Sequence, residues 1–199
     1  MPHITVLDQS TINKIAAGEV IERPSSVVKE LLENAIDAQA TAVTVEIRDG
    51  GISYIRVTDN GCGIPKEEVP LAFLRHSTSK IKSVEDLFTV SSLGFRGEAL
   101  SSIASVAQVE LITKTSEQLS GTRYQIEGGV ERSYEEVGAP DGTTFLVRNL
   151  FYNTPARQKF LKTAQTEGSH VAALVEKIAM SHPDISIRFI QNNQNRLHT

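Results

Sequence analysis

Residues 24–59 read PSSVVKELLENAIDAQATAVTVEIRDGGISYIRVTD, and they set the architecture of the chain. The first part predicts an amphipathic helix, because it starts at a proline and its apolar residues recur with a helical period. Two alternating, β-branched segments follow, at Ala42–Arg48 and Ile52–Asp59. The Asp49-Gly50-Gly51 sequence between them is typical of a hairpin turn, since glycine accepts a positive φ. The stretch therefore predicts a helix that precedes an antiparallel hairpin.

The same periodicities extend outward from this stretch. Pro65 opens a short helical segment, and Arg75–Gly97 is rich in Ser, Thr, Gly and Lys, which favours a long loop. Further helices are predicted at Glu98–Ala107 and Thr166–Ser181. Further strands are predicted at Gln108–Lys114, Thr122–Glu127, Glu131–Val137, Thr143–Asn149 and Ile185–Ile190. We therefore expect an α+β fold, a two-layer α/β sandwich with helices on one face of a mixed, largely antiparallel sheet.

Composition narrows the class of protein. The 199 residues include 20 Lys+Arg and 24 Asp+Glu, so the formal net charge is −4, and 40% of the residues are apolar. These values exclude bulk disorder and fibrous classes, and they argue against a surface built to coat nucleic acid, although a local basic groove stays open. The single cysteine, Cys62, excludes a disulfide framework. The sequence shows no signal peptide and no membrane-spanning run, so we expect a cytoplasmic protein.

The polar side of the first predicted helix carries candidate site residues. Glu30, Asn34 and Asp37 are spaced i, i+4, i+7, which stacks them on one side, opposite the apolar stripe. A carboxylate can activate water, and an amide oxygen can ligate Mg²⁺ without adding charge. Taken alone, the pattern also fits a solvated helix face, and Glu33 on its flank is interpreted that way.

A second candidate is Asp59-Asn60-Gly61-Cys62-Gly63, at the end of a predicted strand. Gly61 and Gly63 permit close backbone approach, and Asp59 can accept a hydrogen bond from a ligand amino group. The same letters also fit a simple tight turn. A Rossmann fingerprint is excluded because Lys66 stands where its third glycine would be, and the chain contains no P-loop motif.

Three more segments complete the candidates. In Ser92-Leu93-Gly94-Phe95-Arg96-Gly97-Glu98-Ala99-Leu100, backbone N–H groups at a helix start and the Arg96 guanidinium could bind an anion. The His76–Lys80 segment adds hydroxyls and an ammonium group, and Gly142-Thr143-Thr144 opens a strand. Each of these also has a purely structural interpretation when taken alone.

Together, GEVIERPSSVVKELLENAIDA, DNGCGI, RHSTSK, GFRGEAL and GTTFLVRNLFYNTPARQKF resemble the MutL family of DNA mismatch-repair proteins, in order and over essentially the whole chain. That family belongs to a superfamily with DNA gyrase, the ninety-kilodalton heat-shock chaperones and sensor histidine kinases. The resemblance implies a shared ATP site of four motifs on an α/β sandwich.

The resemblance also implies a role for each matching residue. Glu30 matches the general base, Asn34 the Mg²⁺ ligand, Asp59 the acceptor for the adenine amino group, and Thr143 a partner near the base. Asp37 is included with the nucleotide-binding residues. The remaining matches are the turn glycines Gly61 and Gly63 and the lid and phosphate-binding residues Thr78, Ser79, Lys80, Gly94, Phe95, Arg96 and Gly97.

For the chain as a whole, the resemblance implies an N-terminal ATP-binding domain over residues 1–199, with an N-terminal arm at 1–19 and an ATP lid at 75–97. We expect a slow, Mg²⁺-dependent ATPase that acts as a conformational switch or clamp and dimerises with ATP. The expected partners are the mismatch-recognition protein MutS, downstream repair factors and, weakly, DNA. The transducer and C-terminal dimerisation domains of the family are expected outside this chain.

Two alternatives stay open. The chain could be a nucleotide-responsive binding module with negligible turnover, because in this family a lysine from the following domain reaches the γ-phosphate. It could instead be another ATPase of the superfamily, although GFRGEAL and FYNTPAR favour the MutL family over such a relative.

Overall fold

The computed structural model describes residues 5–75 and 98–199. The strands in these residues are β1 Ala42–Arg48, β2 Tyr54–Asp59, β3 Gln108–Lys114, β4 Gly121–Glu127, β5 Val130–Val137, β6 Gly142–Arg148, β7 Ser186–Gln191 and β8 Gln194–His198. The α-helices are α1 Gln9–Val20, α2 Pro24–Asp37, α3 Ala99–Val106, α4 Pro155–Phe160 and α5 Ala164–Ser181. Short 3-10 turns lie at Asp49–Gly51, Lys66–Glu68 and Leu71–Phe73.

All eight described strands form one sheet, in the order β5-β4-β3-β6-β2-β1-β7-β8. Neighbours are antiparallel except β1 and β7, which run parallel. The parallel pair is possible because more than a hundred residues separate the two strands along the chain, enough for a crossover connection. The prediction of a mixed, largely antiparallel sheet is confirmed.

One face of the sheet is apolar and lies under the helices. Ile55 and Val57 of β2 stand opposite Val147 and Phe145 of β6, and all four are buried. The helix α2 buries its apolar stripe, Val27, Val28, Leu31, Leu32 and Ala35, and it contacts β1, β2 and α5. Burial of this stripe against the sheet removes apolar surface from water and fixes the helix on the sheet. The predicted two-layer sandwich is confirmed.

The opposite face of the sheet is polar. The buried Glu110 carboxylate accepts hydrogen bonds from Arg123 (3.0 Å), Arg148 (3.1 Å) and Gln125 (3.3 Å). Burial alone would raise the pKa of Glu110, but these hydrogen bonds outweigh it and hold the pKa below its ordinary value. A polar face of this kind meets water, which explains why the helices pack on the other side.

The structure also contains elements that the sequence did not predict. The expected N-terminal arm at 1–19 includes most of α1, whose N-cap Asp8 accepts a hydrogen bond from the Thr11 backbone N–H (2.8 Å). The α1 helix packs against α3, and α4 and β8 were not predicted either. The strand β2 begins at Tyr54, two residues after its predicted start, because the turn at Asp49–Gly51 continues through a hydrogen bond from Ile52 N to Asp49 O. In the described parts of the chain, no helix is long and apolar enough to cross a bilayer.

Candidate functional site

The candidate residues of the sheet meet at one of its edges. The end of β2, the start of β6 and the end of β3 lie side by side because these strands are antiparallel neighbours. Asp59 is directly opposite Thr143 of β6, and Thr143 is directly opposite Thr113 of β3. All three are buried on the helix-covered face, with Asp59 9% and Thr143 6% exposed. This is a polar row at the end of an otherwise apolar face.

Asp59 is a buried carboxyl group with a defined environment. Its Oδ1 atom accepts a hydrogen bond from the Gly61 backbone N–H at 2.8 Å. Burial raises the pKa of Asp59, although hydrogen bonds from the Gly61 and Thr143 backbones act in the opposite direction. An ionised carboxylate only accepts hydrogen bonds, so this position favours a ligand that offers N–H donors.

Asn60 holds the turn after β2 against the start of β1. Its Oδ1 atom accepts hydrogen bonds from the backbone N–H groups of Thr41 and Ala42, both at 2.9 Å. Its Nδ2 atom donates to Thr41 Oγ1 at 2.9 Å. The sequence indicates only a turn at Asn60, whereas in the structure its side chain also holds that turn against the start of β1.

The glycines of the turn permit close packing against neighbouring segments. A Cβ atom on Gly61 would stand 2.8 Å from Ala38 Cβ, at the end of α2, and the Cys62 backbone N–H donates to Ala38 O at 3.0 Å. Gly63 has a φ of 73°, and a Cβ there would overlap the Lys114 carbonyl oxygen. Gly61 and Gly63 thus permit close packing within the chain, and their contact with nucleotide stays a prediction.

The packing of this turn on Ala38 brings the end of α2 to the same edge of the sheet. Glu30, Asn34 and Asp37 lie on α2 and are half-buried, outside its buried stripe. Glu30 retains 24% side-chain exposure and lies 3.9 Å from Lys29 Nζ, which also pairs with Glu33 at 2.8 Å. Because a helix rises 1.5 Å per residue, Glu30 is about 10 Å further along the helix than Asp37. The three residues therefore form a polar track that leads from the Asp59 turn.

Thr113 joins the site although sequence analysis did not select it. Its Oγ1 atom lies 3.0 Å from Thr143 Oγ1 and 3.1 Å from the Gly142 carbonyl, and it accepts a hydrogen bond from the Ile64 N–H at 2.9 Å. The available signal was a hydroxyl at an inward position of an alternating, buried strand.

The predicted phosphate-binding and lid residues Thr78, Ser79, Lys80, Gly94, Phe95, Arg96 and Gly97 lie outside the described residues. The residues that flank this segment are close together, because Arg75 Nη2 lies 3.9 Å from Glu98 Oε1. Arg75 also donates a hydrogen bond to Asn13 Oδ1 of α1 at 3.3 Å. Arg75 therefore contacts both α1 and Glu98.

The fold and this edge of the sheet define a class of ATP-binding proteins. The family model for histidine kinase-, DNA gyrase B-, and HSP90-like ATPases matches residues 21–141, and the chain belongs to this family. The matched range contains Glu30, Asn34, Asp37 and Asp59 and ends two residues before Thr143.

Within that family, the chain is similar to DNA mismatch repair proteins MutL. It is 71% identical to MutL of Agathobacter rectalis over 199 residues, which are all of this chain and 31% of that protein. It is 53% identical to MutL of Methanoculleus marisnigri, covering 100% of this chain and 35% of that protein. The chain therefore spans about a third of the length of these curated relatives.

Solved structures agree with this relationship. The Aquifex aeolicus MutL ATPase domain complexed with ADP superposes with a TM-score of 0.72 and 35% identity, over 90% of this chain and 64% of that one. The N-terminal domain of a DNA repair protein gives a TM-score of 0.78 and 31% identity, over 94% of this chain and 56% of that one.

Proposed function

We propose that this chain is the ATP-binding, slowly ATP-hydrolysing domain of a DNA mismatch repair protein. The observation that carries the proposal is the polar row of Asp59 and Thr143, which ends beside the helix that presents Glu30 and Asn34. Family membership and the ADP complex of the Aquifex aeolicus relative support a nucleotide as the ligand.

The base of the nucleotide is proposed to bind at Asp59. A buried carboxylate that already accepts from Gly61 N–H has further lone pairs, and an adenine amino group offers N–H donors to them. Thr143, directly opposite on β6, supplies a hydroxyl to the same group or to a water bound beside it. The buried position strengthens these hydrogen bonds because water does not compete for them.

Hydrolysis is assigned to the polar track of α2. Glu30 acts as the general base that takes a proton from the attacking water, and its partial exposure leaves a path for that water. The Asn34 amide oxygen suits Mg²⁺, which takes hard oxygen ligands and usually completes its shell with phosphates and water. This donor set fits Mg²⁺, because Asn34 and Asp37 are half-buried on the same helix and supply amide and carboxylate oxygens. When bound, Mg²⁺ would offset the charge of the phosphates, and Asp37 lies nearby on the same helix.

The phosphates are proposed to meet the segments that hold Thr78, Ser79 and Lys80 and the sequence Gly94-Phe95-Arg96-Gly97. Backbone N–H groups before a helix, with a lysine and an arginine, form a suitable environment for a polyanion. The flanking pair Arg75 and Glu98 lies beside α1, so a change in this segment on binding ATP would act directly on the N-terminal helix.

In the longer protein, we propose that ATP binding acts as a switch or clamp through N-terminal dimerisation. The apolar side chains Val6, Leu7, Ile12 and Ile15, in and before α1, are exposed, which suits association with a second copy. MutS, downstream repair factors and DNA are the proposed partners of that assembly, by analogy with mismatch repair. The exposed thiol of Cys62 fits the reducing cytoplasm.

The test is to measure binding of ATP, ADP and GTP to the 199-residue chain by calorimetry, together with phosphate release at saturating Mg-ATP. We expect ATP and ADP to bind, GTP to bind at least tenfold more weakly, and phosphate to be released slowly. Absence of ATP binding would overturn the proposal.

A second candidate is a nucleotide-responsive module without turnover, since in the MutL family a lysine from the following domain reaches the γ-phosphate. Comparison with a longer chain that includes the following domain separates the two functions. Equal turnover by both would exclude the module, whereas ATP binding without phosphate release by the shorter chain would favour it.

A further inference from the structure

Thr113 lies behind the proposed adenine site, where no solvent reaches it. The residue is 1% exposed, and its hydroxyl has three polar neighbours: the Ile64 N–H at 2.9 Å, Thr143 Oγ1 at 3.0 Å and the Gly142 carbonyl at 3.1 Å. A buried polar group needs its hydrogen-bond partners within the protein. The direction of each hydroxyl hydrogen in this cluster therefore follows from counting the donors and acceptors around it.

The Ile64 N–H is a fixed donor, and the Gly142 carbonyl is a fixed acceptor. If Thr113 donates its one hydrogen to Gly142, it accepts from both Ile64 and Thr143, and all three contacts are hydrogen bonds. If Thr113 instead donates to Thr143, its bond to Gly142 is lost, and the Thr143 hydrogen needs another partner. The first arrangement contains one more hydrogen bond in a dry environment and is therefore favoured.

We infer that Thr113 commits the Thr143 hydroxyl to act as a hydrogen-bond acceptor toward the nucleotide, and so serves as a specificity-determining positioning residue for adenine. The inference rests on the proposed function, since it deepens the description of the same site. With its hydrogen given to Thr113, Thr143 presents only lone pairs, and the ionised carboxylate of Asp59 also presents only lone pairs.

Two acceptors side by side discriminate between purines by chemistry. Adenine carries an amino group at C6, which donates hydrogen bonds, whereas guanine carries a carbonyl oxygen there, which accepts them. A guanine carbonyl would meet lone pairs from both Asp59 and Thr143. If the Thr143 hydroxyl turned toward that carbonyl, it could donate to it and remove one of the two repulsive contacts, but this rotation would break the hydrogen bond to Thr113.

The experiment compares ATP and GTP affinities of the wild type and Thr113→Val by calorimetry. Valine keeps the shape but removes the acceptor for the Thr143 hydroxyl. We expect the ATP-over-GTP preference to fall by about tenfold, the effect of one neutral hydrogen bond at its upper range. Thr113→Ser, which retains the hydroxyl, should restore the preference. If Thr113→Val is unfolded by circular dichroism, Thr113→Cys serves instead, because a thiol is a poor acceptor.

Thr144→Val is the matched control. Thr144 follows Thr143 on β6, but it points to the other face of the sheet, where its hydroxyl donates to Thr58 Oγ1 at 3.1 Å. Its preference for ATP should equal that of the wild type. An unchanged preference in a folded Thr113→Val or Thr113→Cys variant would overturn the inference while leaving the proposed function intact. Failure of the wild type to bind ATP would instead remove the proposed function.

Discussion

Asp59 and Thr143 face each other on neighbouring antiparallel strands, and both are buried beneath the helical layer at the end of an apolar face. On the same face, the next two pairs of opposite residues on these strands are Val57 with Phe145 and Ile55 with Val147. A carboxyl group in this row costs stability, because burial penalises its charged form. An apolar pair would pack there without that cost, and we propose that the acid is present because it binds a ligand.

The first prediction concerns Asp59→Asn. The amide oxygen can still accept the hydrogen bond from the Gly61 N–H. The other carboxylate oxygen, an acceptor, is replaced by an NH₂ group, a donor that would face the adenine amino group, which is also a donor. We expect ATP affinity to fall about a hundredfold, in line with the loss of a hydrogen bond to a charged group. The ligand-free variant should unfold at the same temperature as the wild type or higher. Calorimetric titration and thermal unfolding followed by circular dichroism measure the two effects, and wild-type affinity in the variant would contradict the assignment.

The second prediction is the pH dependence of stability due to Asp59. Burial raises the pKa of Asp59 in the folded protein above the ordinary aspartate value of 3.8. Between that value and the raised pKa, the folded state binds more protons than the unfolded state, so the free energy of unfolding falls as the pH rises through this interval. We expect the wild type to lose stability relative to Asp59→Asn as the pH rises from about 4 through the raised pKa of Asp59. Urea unfolding of both proteins measures the free energy of unfolding of the wild type minus that of the variant, and a value that stays constant or rises with pH would contradict the prediction.

The third prediction separates Glu30 from its neighbour Glu33. Glu30→Gln removes the proposed base but keeps the shape of the side chain, so ATP affinity should be retained while turnover falls by about 10²- to 10⁴-fold. Glu33→Gln is the control, because Glu33 lies on the same helix and pairs with Lys29 at 2.8 Å. It should alter turnover less than twofold. Phosphate release at saturating ATP measures both, and normal turnover in Glu30→Gln would exclude the general-base role.

The elements that carry the site were predictable because their patterns are strong. The strand β3 has the predicted limits, and α2 starts at the predicted proline, since strict periodicity and a fixed proline φ specify both. The helix α1 was not predicted, because the residues it buries, Ala17 and Gly18, are small and give a weak periodic signal, and it packs on α3. Packing of that kind arises only from the tertiary fold.

The hydrogen-bond network around the candidate site was less predictable from the sequence. The sequence shows that Thr113 points inward, but not that Ile64 N–H and Thr143 Oγ1 meet it, because those partners come from distant parts of the chain. The β7–β8 hairpin did carry a usable signal. Asn192 and Asn193 both have a positive φ, the conformation of a tight hairpin turn that asparagine tolerates, although the polar sequence of β8 obscured the strand.

The fourth prediction tests a backbone contact beside Asp59. Gly142 has a φ of 109°, and a Cβ atom there would overlap the Asp59 carbonyl oxygen. Gly142→Ala should therefore lower the free energy of unfolding by about 1–3 kcal/mol and weaken ATP binding, since the start of β6 must shift. Gly138→Ala is the control, because a Cβ at Gly138 would meet nothing within 4 Å. Urea unfolding measures both, and equal stability of the two variants would show that the start of β6 accommodates the side chain.

The fifth prediction uses Cys62 as a probe of the nucleotide site. It is the single cysteine of the chain, it is exposed, and it lies between Gly61 and Gly63 in the turn that follows Asp59. A nucleotide whose base binds Asp59 would cover this turn, so saturating Mg-ATP should slow alkylation of the thiol at least fivefold. GTP at the same concentration should protect little, and ATP should protect little in Asp59→Asn, which controls for effects of ionic strength. The rate is measured by mass spectrometry of iodoacetamide adducts, and equal rates with and without bound ATP would place the base away from the Asp59 turn.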